Sequence, residues 1–153
     1  LCFGYNPNVA VAITFDDGFQ KDLITSIPYW ETRGVPATYF VCSGLSREGK
    51  KWLGFDLMSL DEIVEANKCE HISIGSHTMS HADCGTLDAI GIQEEIVKSR
   101  IALQRILKEK ISYFAFPYGI NKRNISKLSY EVSQEHYRAV FFCLWRLQFS
   151  KPI

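Results

Sequence analysis

Short apolar runs recur along the chain and are separated by longer amphipathic segments. Residues 9–15 are apolar apart from Thr14, and this run ends at two adjacent carboxylates, Asp16 and Asp17. Four further runs are rich in β-branched and aromatic residues: 35–42, 71–75, 111–116 and 137–144. Runs of this length and composition predict the strands of a parallel sheet that is covered on both faces.

The segments between these runs carry helix signals. In 88–108 the apolar residues recur at helical spacing, and Ser59 with Glu62 has the form of a capping box that opens a helix to about Asn67. Two shorter helices are predicted at 26–33 and 125–135, whereas the polar, glycine-bearing segment 43–56 is predicted to be a long loop. Strand and helix therefore alternate, which is typical of an α/β fold with a parallel sheet or a (β/α) barrel.

Polar side chains follow three of the predicted strands at the point where each strand ends. They form three clusters: Asp16 with Asp17, His77 with His81, and Pro117 with Tyr118. In parallel α/β folds the carboxyl ends of the strands lie at one edge of the sheet, and the chemistry collects there. We therefore expect these clusters to meet in one site.

Composition limits the possible partners. The chain has 153 residues, which fits one domain, and its 17 basic and 17 acidic residues leave no net charge or basic run, so nucleic acid is not expected as a partner. No apolar stretch approaches the roughly 20 residues of a membrane span. The chain starts at Leu1, so we expect that a start methionine or signal peptide was removed or not included. Five cysteines without a C-x-x-C pair exclude a zinc ribbon or disulfide framework, and Cys42 and Cys143, in apolar runs, are expected in the core.

The histidine and aspartate clusters can supply a metal site. His77 and His81 form an H-x-x-x-H pair without the glutamate of the H-E-x-x-H zincins, and such a pair needs a carboxylate as third ligand for an open catalytic site. Because adjacent side chains on a strand point in opposite directions, we expect one of Asp16 and Asp17 to bind the ion and the other to act as a base. The alternative is a pair of ordinary histidines and a solvated turn at Gly18.

Three segments, in order, resemble the first three motifs of the polysaccharide deacetylases, carbohydrate esterase family four. They are TFDDG at 14–18, SHTMSH at 76–81 and FAFPYG at 114–119. The resemblance covers about residues 9–143 and implies a distorted (β/α) barrel around a parallel sheet. It also implies removal of acetyl groups from N-acetylated sugars or, in some members, from acetylated xylan.

The resemblance assigns roles residue by residue. Asp17, His77 and His81 match the metal ligands, and Asp16 matches the catalytic base. The metal in the family is usually zinc and sometimes cobalt or nickel; it activates a water whose proton the base accepts. A backbone N–H at the position of Tyr118 and the metal hold the resulting oxyanion.

The sequence departs from the family pattern at two places. Ala115 stands where an arginine commonly orients the base, and neither the fourth motif nor the late leucine-x-histidine that supplies a general acid is recognisable after Tyr137. His71 and His136 are interpreted as lying outside the site. Residues 1–153 are thus expected to form a single deacetylase-like domain that lacks its C-terminal strands, either as a fragment or as a shortened natural version. The exposed sheet edges of such an incomplete barrel would favour self-association.

Two functional hypotheses follow. The first is a metal-dependent deacetylase of an acetylated polysaccharide, which the family resemblance places outside the cytoplasm. The second is a catalytically impaired, metal-containing carbohydrate-binding domain, and a structural metal in an unrelated α/β domain is a third interpretation. The retained pair of aspartates favours the first hypothesis, and the absent late histidine favours the second. The segment 46–54 is interpreted as solvated surface in preference to a binding loop.

Overall fold

A five-stranded parallel sheet forms the centre of the structure, a computed structural model that describes residues 11–49, 51–120 and 123–143. Its strands lie side by side in the order β1-β2-β5-β6-β7, and a separate antiparallel hairpin is formed by β3 and β4. The strands are β1 (Ile13–Phe15), β2 (Ala37–Val41), β3 (Lys51–Trp52), β4 (Phe55–Asp56), β5 (Ile72–Ser76), β6 (Tyr113–Ala115) and β7 (Ala139–Phe141). This is the incomplete (β/α) barrel that the sequence predicts.

Six α-helices connect the strands, and all four predicted helices are confirmed with small shifts at their ends. They are α1 (Ser26–Glu31), α2 (Ser43–Glu48), α3 (Leu60–Ala66), α4 (Ala89–Ile92), α5 (Lys98–Leu107) and α6 (Lys127–His136). A 3₁₀ turn covers Gln20–Leu23, and a π-helical turn, Gln93–Val97, joins α4 to α5. In the described part of the chain, no helix is both long and apolar enough to cross a membrane.

The prediction of one long loop over 43–56 is wrong. The segment contains α2 and the hairpin of β3 and β4. The helix is held by tertiary contacts, since the N–H groups of Gly44 and Leu45 donate to the carbonyl oxygen of Met79 at 2.9 and 3.1 Å. Local sequence signals carry no information about such a contact, so tertiary structure overrides them here.

The two faces of the sheet differ, although the sequence pattern predicts that both are covered. Alternate residues of the strands pack into a core with the helices; Phe15 stacks on Tyr39 with ring centroids 4.6 Å apart, and the Tyr39 hydroxyl donates to Ser26 Oγ at 2.8 Å. On the opposite face Thr14 is exposed and shares a cavity with Phe141. The sheet thus presents one face to the core, whereas part of its other face lines a cavity and Phe40, on that face, is buried against Phe141.

Ser59→Ala should lower the free energy of unfolding by about 1 kcal/mol. Ser59 Oγ accepts the N–H of Glu62 at 3.2 Å, and the Glu62 carboxylate accepts the N–H of Ser59 at 2.8 Å, so the predicted capping box is present at α3. Urea denaturation measures the loss. Ser73→Ala, at an exposed position of β5, is the control, and an equal effect of both changes would contradict the capping role.

Candidate metal and catalytic site

The two aspartates leave strand β1 through a tight turn. The N–H of Gly18 donates to the carbonyl oxygen of Asp16 at 2.9 Å, and Asp17, between them, has a φ of 72°. An i to i+2 hydrogen bond with positive φ at the central residue is a strained γ-turn. Because Asp17 is not extended, strand alternation does not separate the two carboxylates, and both line the same cavity.

Packing and one hydrogen bond fix this turn. Gly18 has a φ of 77°, and a Cβ atom there would lie 2.8 Å from Val41 Cγ1, so the position requires glycine for both conformation and space. The carbonyl oxygen of Gly18 accepts the N–H of the fully buried Met58 at 2.9 Å. The turn is therefore attached to β2 on one side and to the segment after the hairpin on the other.

His77 follows β5 and is 1% exposed. Its Nδ1 lies 2.8 Å from the carbonyl oxygen of Ala115. Since a carbonyl oxygen only accepts hydrogen bonds, Nδ1 carries the proton and the lone pair of the neutral ring is on Nε2. This Nε2 faces Asp17 Oδ1 at 3.5 Å.

His81 lies between two aromatic rings. Its ring centroid is 4.2 Å from that of Trp52 and 4.8 Å from that of Tyr118, and only 8% of the residue is exposed. Its Nε2 lies 3.1 Å from Asp17 Oδ1. Its backbone has a φ of 60°, again in the left-handed region. The aromatic contacts hold the ring so that Nε2 faces the carboxylate.

The donor set fits a divalent metal. One oxygen of Asp17 and one nitrogen each of His77 and His81 lie within 4.8 Å of one another, and among the described residues this is the one group of three such ligands. Two imidazoles with one carboxylate leave a coordination position open, as in catalytic zinc sites. The bond from His77 Nδ1 to a carbonyl is the partner that metal-binding histidines usually have.

The two carboxyl groups differ in acidity. Burial acts to raise the pKa of Asp17, but the imidazoles of His77 and His81, which in their protonated form donate to this carboxylate, outweigh it and hold the pKa well below its usual range. For Asp16, desolvation dominates and raises the pKa; the charges of the histidines oppose this and that of Asp17 adds to it. Asp16 is nevertheless open to water on the cavity side, and a bound cation would favour its ionised form.

Tyr118 lies at the rim of the cavity, 52% exposed, with a φ of 61°. The N–H of Gly119 donates to the carbonyl oxygen of Pro117 at 2.6 Å, so Tyr118 occupies the centre of a second γ-turn. Among the described residues, its own N–H has no backbone partner. The prediction of a core position for Cys143 is wrong, because this residue is exposed and lines the same cavity.

The site cavity, as we call the space of about 530 Å³ above these residues, holds all five predicted site residues. These are Asp16, Asp17, His77, His81 and Tyr118. Its walls also include Ala115. His71 lies away from this cavity beside Glu31, with Nδ1 3.6 Å from its carboxylate, and His136 ends α6.

The chain matches the model of a known protein family. Residues 4–139 match the family model described as polysaccharide deacetylase. The chain belongs to the polysaccharide deacetylase family. A chitin deacetylase from Pestalotiopsis sp. is 35% identical over 115 residues, which are 73% of this chain and 35% of that protein. The chain thus spans about a third of the length of this relative.

Solved deacetylase structures share the fold. The structure of IcaB from Ammonifex degensii matches with a TM-score of 0.70 and 25% identity over 86% of this chain and 59% of its own. The deacetylase PplD of Streptococcus pyogenes, in complex with acetate, matches with a TM-score of 0.72 and 22% identity over 84% of this chain and 53% of its own.

The hairpin of this polysaccharide deacetylase domain forms a wall of the site that the sequence interpretation missed. Trp52 and Leu53 both line the site cavity, although 46–54 is interpreted above as solvated surface. The usual sequence signal of a two-residue hairpin is Asn-Gly or Asp-Gly. Here the loop has the sequence Leu53-Gly54, so the hairpin was not predicted. The tryptophan within a polar, glycine-rich segment was the available signal.

The Glu95 carboxylate is hydrogen-bonded to the histidine loop, residues 77–81, which carries both histidines. One carboxylate oxygen accepts the N–H groups of Met79 and Ser80, both at 2.9 Å, and the other accepts Ser80 Oγ at 2.7 Å. One turn later, Ser99 Oγ donates to the carbonyl oxygen of Thr78 at 2.9 Å. Both residues fall on the apolar stripe of Ile92, Ile96 and Leu103, so polar residues at inward positions were a signal in the sequence.

Glu95→Ala should lower the free energy of unfolding by about 1–3 kcal/mol, because the N–H groups of Met79 and Ser80 lose their acceptor. Glu95→Gln should cost less, since its amide oxygen can still accept both. Urea denaturation gives the comparison. The control is Glu94→Ala at the exposed neighbouring position, where we expect a change within about 0.5 kcal/mol. Equal losses at both positions would contradict the role assigned to Glu95.

Proposed function

We propose that the domain is a metal-dependent hydrolase that removes acetyl groups from an N-acetylated polysaccharide. The observation that carries the proposal is the cluster of Asp17, His77 and His81, which leaves one side open to a cavity that also contains Asp16. Membership of the polysaccharide deacetylase family supports the reaction class. A structural metal site would be closed by a fourth protein ligand, whereas this cluster faces open space.

Asp17, His77 and His81 would hold the metal, most simply zinc, with cobalt or nickel as alternatives, since imidazole nitrogen and carboxylate oxygen suit all three. When bound, such a cation supplies Lewis-acid activation of water and of the acetyl carbonyl. The roles of the protein's own groups follow from their positions. The bond from His77 Nδ1 to Ala115 keeps Nε2 free of a proton, and the rings of Trp52 and Tyr118 fix His81.

Asp16 is proposed as the general base. It lies in the same cavity as the ligands but outside the ligand cluster, so its carboxylate is free to accept a proton from the attacking water. The N–H of Tyr118 is proposed to donate to the oxyanion that forms on the acetyl carbonyl. This N–H has no backbone partner among the described residues, and because it is a main-chain group the donor does not depend on residue type.

The substrate is proposed to be a glycan with N-acetyl groups, such as a cell-wall or capsular polysaccharide. The similarity to a chitin deacetylase supports chitin oligomers as the first substrates to try. The neutral net charge of the chain agrees with an uncharged sugar polymer and gives no attraction for nucleic acid. Such polymers lie outside the cytoplasm, and we propose that the domain acts there.

Zinc binding should depend on Asp17 and His77 and not on the remaining histidines. Removing a residue that only hydrogen-bonds to a metal ligand weakens metal binding roughly 10- to 100-fold, and we expect Asp17→Ala and His77→Ala to weaken zinc binding by more than this. His71→Ala and His136→Ala are the matched controls and should leave the affinity unchanged. Isothermal titration calorimetry with zinc alone measures all four. Equal affinities throughout would refute the metal site.

Acetate release from chitin oligomers tests the reaction. The wild-type chain should release acetate when zinc is present and lose this activity with a chelator. Asp16→Asn should lower kcat by about 10²–10⁴-fold while zinc affinity stays within a few-fold, because a general base outside the ligand cluster is removed. Zinc binding without acetate release from any oligomer would instead support a carbohydrate-binding domain.

A further inference from the structure

We propose that the hairpin of β3 and β4 forms a second sugar-binding subsite beside the site cavity, with Leu53 as its central contact. The inference rests on the proposed function, because it takes the occupant to be a sugar unit of the polysaccharide being deacetylated that lies beyond a disaccharide held in the site cavity. Leu53, Phe55 and Phe19 provide the apolar surface of this subsite.

The backbone at the tip of the hairpin gives the first argument. Trp52 pairs with Phe55, so the loop consists of Leu53 and Gly54 alone, and both have positive φ, of 51° and 85°. Positive φ at both central residues defines a type I′ turn, in which asparagine, aspartate or glycine is strongly preferred at the first position. Leucine there costs conformational energy, and such strain is usually retained where it serves function.

Exposure gives the second argument. Leu53 is 75% exposed and Phe55 is 64% exposed, so this strained turn also holds two large apolar side chains in water. Neither contributes to the core of the domain. A leucine in an unfavourable conformation that is also exposed does not stabilise the folded state, which points to a contact between this side chain and a ligand.

The position of Leu53 identifies what covers it. Leu53 lines the site cavity and also a neighbouring space of about 890 Å³, here called the side cavity, which Phe19, Leu23 and Phe55 line with it. A polymer whose acetylated unit lies in the site cavity extends beyond that cavity in at least one direction. Leu53 is the residue common to both spaces, so a chain that leaves past it enters the side cavity.

The chemistry of the side cavity suits a pyranose ring. The apolar surface of Phe19, Leu53 and Phe55 matches the C–H face of a sugar, and the rings of Phe19 and Phe55 are already fixed against each other at 5.8 Å. Four polar residues also line it, and their remaining donor and acceptor positions can bind hydroxyl groups: Gln20, Lys21, Asp56 and Glu62. Small-molecule sites in proteins typically combine an apolar lining with a few polar groups in this way.

The hairpin is also joined rigidly to the site. On one side, Trp52 packs on the ring of His81. On the other side, Leu57, just after β4, forms a β-bridge with Phe19, which lies three residues after Asp16 and its γ-turn. A sugar bound on Leu53 would therefore be held at a fixed distance from the ligand cluster. This would set which unit of the polymer meets the site.

The central experiment replaces Leu53 by asparagine, the residue that the turn prefers. Binding of the chitin dimer and hexamer is measured by calorimetry in an Asp16→Asn background with zinc, which prevents turnover. We expect Leu53→Asn to weaken hexamer binding by about five- to tenfold, the size of effect that exposure of part of a leucine side chain gives, and to leave dimer binding unchanged. The thermal midpoint should be equal or higher, because the turn is relieved of strain.

Two further variants complete the design. Phe55→Ser, in ordinary strand conformation on the same surface, should also weaken hexamer binding. Leu128→Asn, an exposed leucine on α6 that lines neither cavity, makes the same chemical change elsewhere and should alter nothing.

The outcomes separate this inference from the proposed function. A fall in thermal midpoint, an equal loss for dimer and hexamer, or no loss at all would overturn the subsite. Concentration-dependent self-association that disappears in Leu53→Asn would reassign the surface to a protein interface. If the wild-type chain binds the hexamer more tightly than the dimer but releases no acetate, the subsite stands and the proposed reaction fails. If it binds no oligomer, both are wrong.

Discussion

Backbone conformations that L-amino acids rarely adopt determine the geometry of this site. Six non-glycine residues in the described part of the chain have positive φ, and five of them lie in the loops and the hairpin around one cavity: Asp17, Leu53, Thr78, His81 and Tyr118. Each such residue costs of the order of 1–3 kcal/mol and persists only where its surroundings over-determine it. The surroundings here are the Val41 side chain behind Gly18, the Glu95 carboxylate under the histidine loop and the aromatic rings beside His81. The fold therefore stores strain at the cavity and supports it from the core.

The main features of the site could be predicted because of the parallel sheet. In such a sheet the carboxyl ends of all strands lie at one edge, so a polar cluster after each strand is enough to place them together. Asp17 and the two histidines are found together as this rule requires, in the loops that follow β1 and β5, which are separated by β2. The order of the motifs then predicted the polysaccharide deacetylase family, which the match over residues 4–139 confirms. The strand and helix pattern was predictable for a similar reason, since period and composition are local properties.

The features that could not be predicted depend on tertiary contacts. The helix at 43–48 is held by the carbonyl oxygen of Met79, and the hairpin after it uses a leucine where turn signals call for asparagine. Asp16 and Asp17 were expected to point in opposite directions as neighbours on a strand. The γ-turn at Asp17 ends the extended conformation, so this reason for their separation does not apply. The apolar runs predicted a sheet covered on both faces, but in the described part of the chain Thr14 and Phe141, on the alternate face, line a cavity, while Phe40 on the same face is buried.

The contact from His77 to Ala115 has a consequence for how this family is compared by sequence. The group that orients the imidazole is a main-chain oxygen, which every amino acid possesses. The side chain at position 115 therefore does not set the tautomer of the histidine, and a comparison of side chains alone would not detect this contact. The path of the backbone through β6, and not the residue type at position 115, places the oxygen that orients His77.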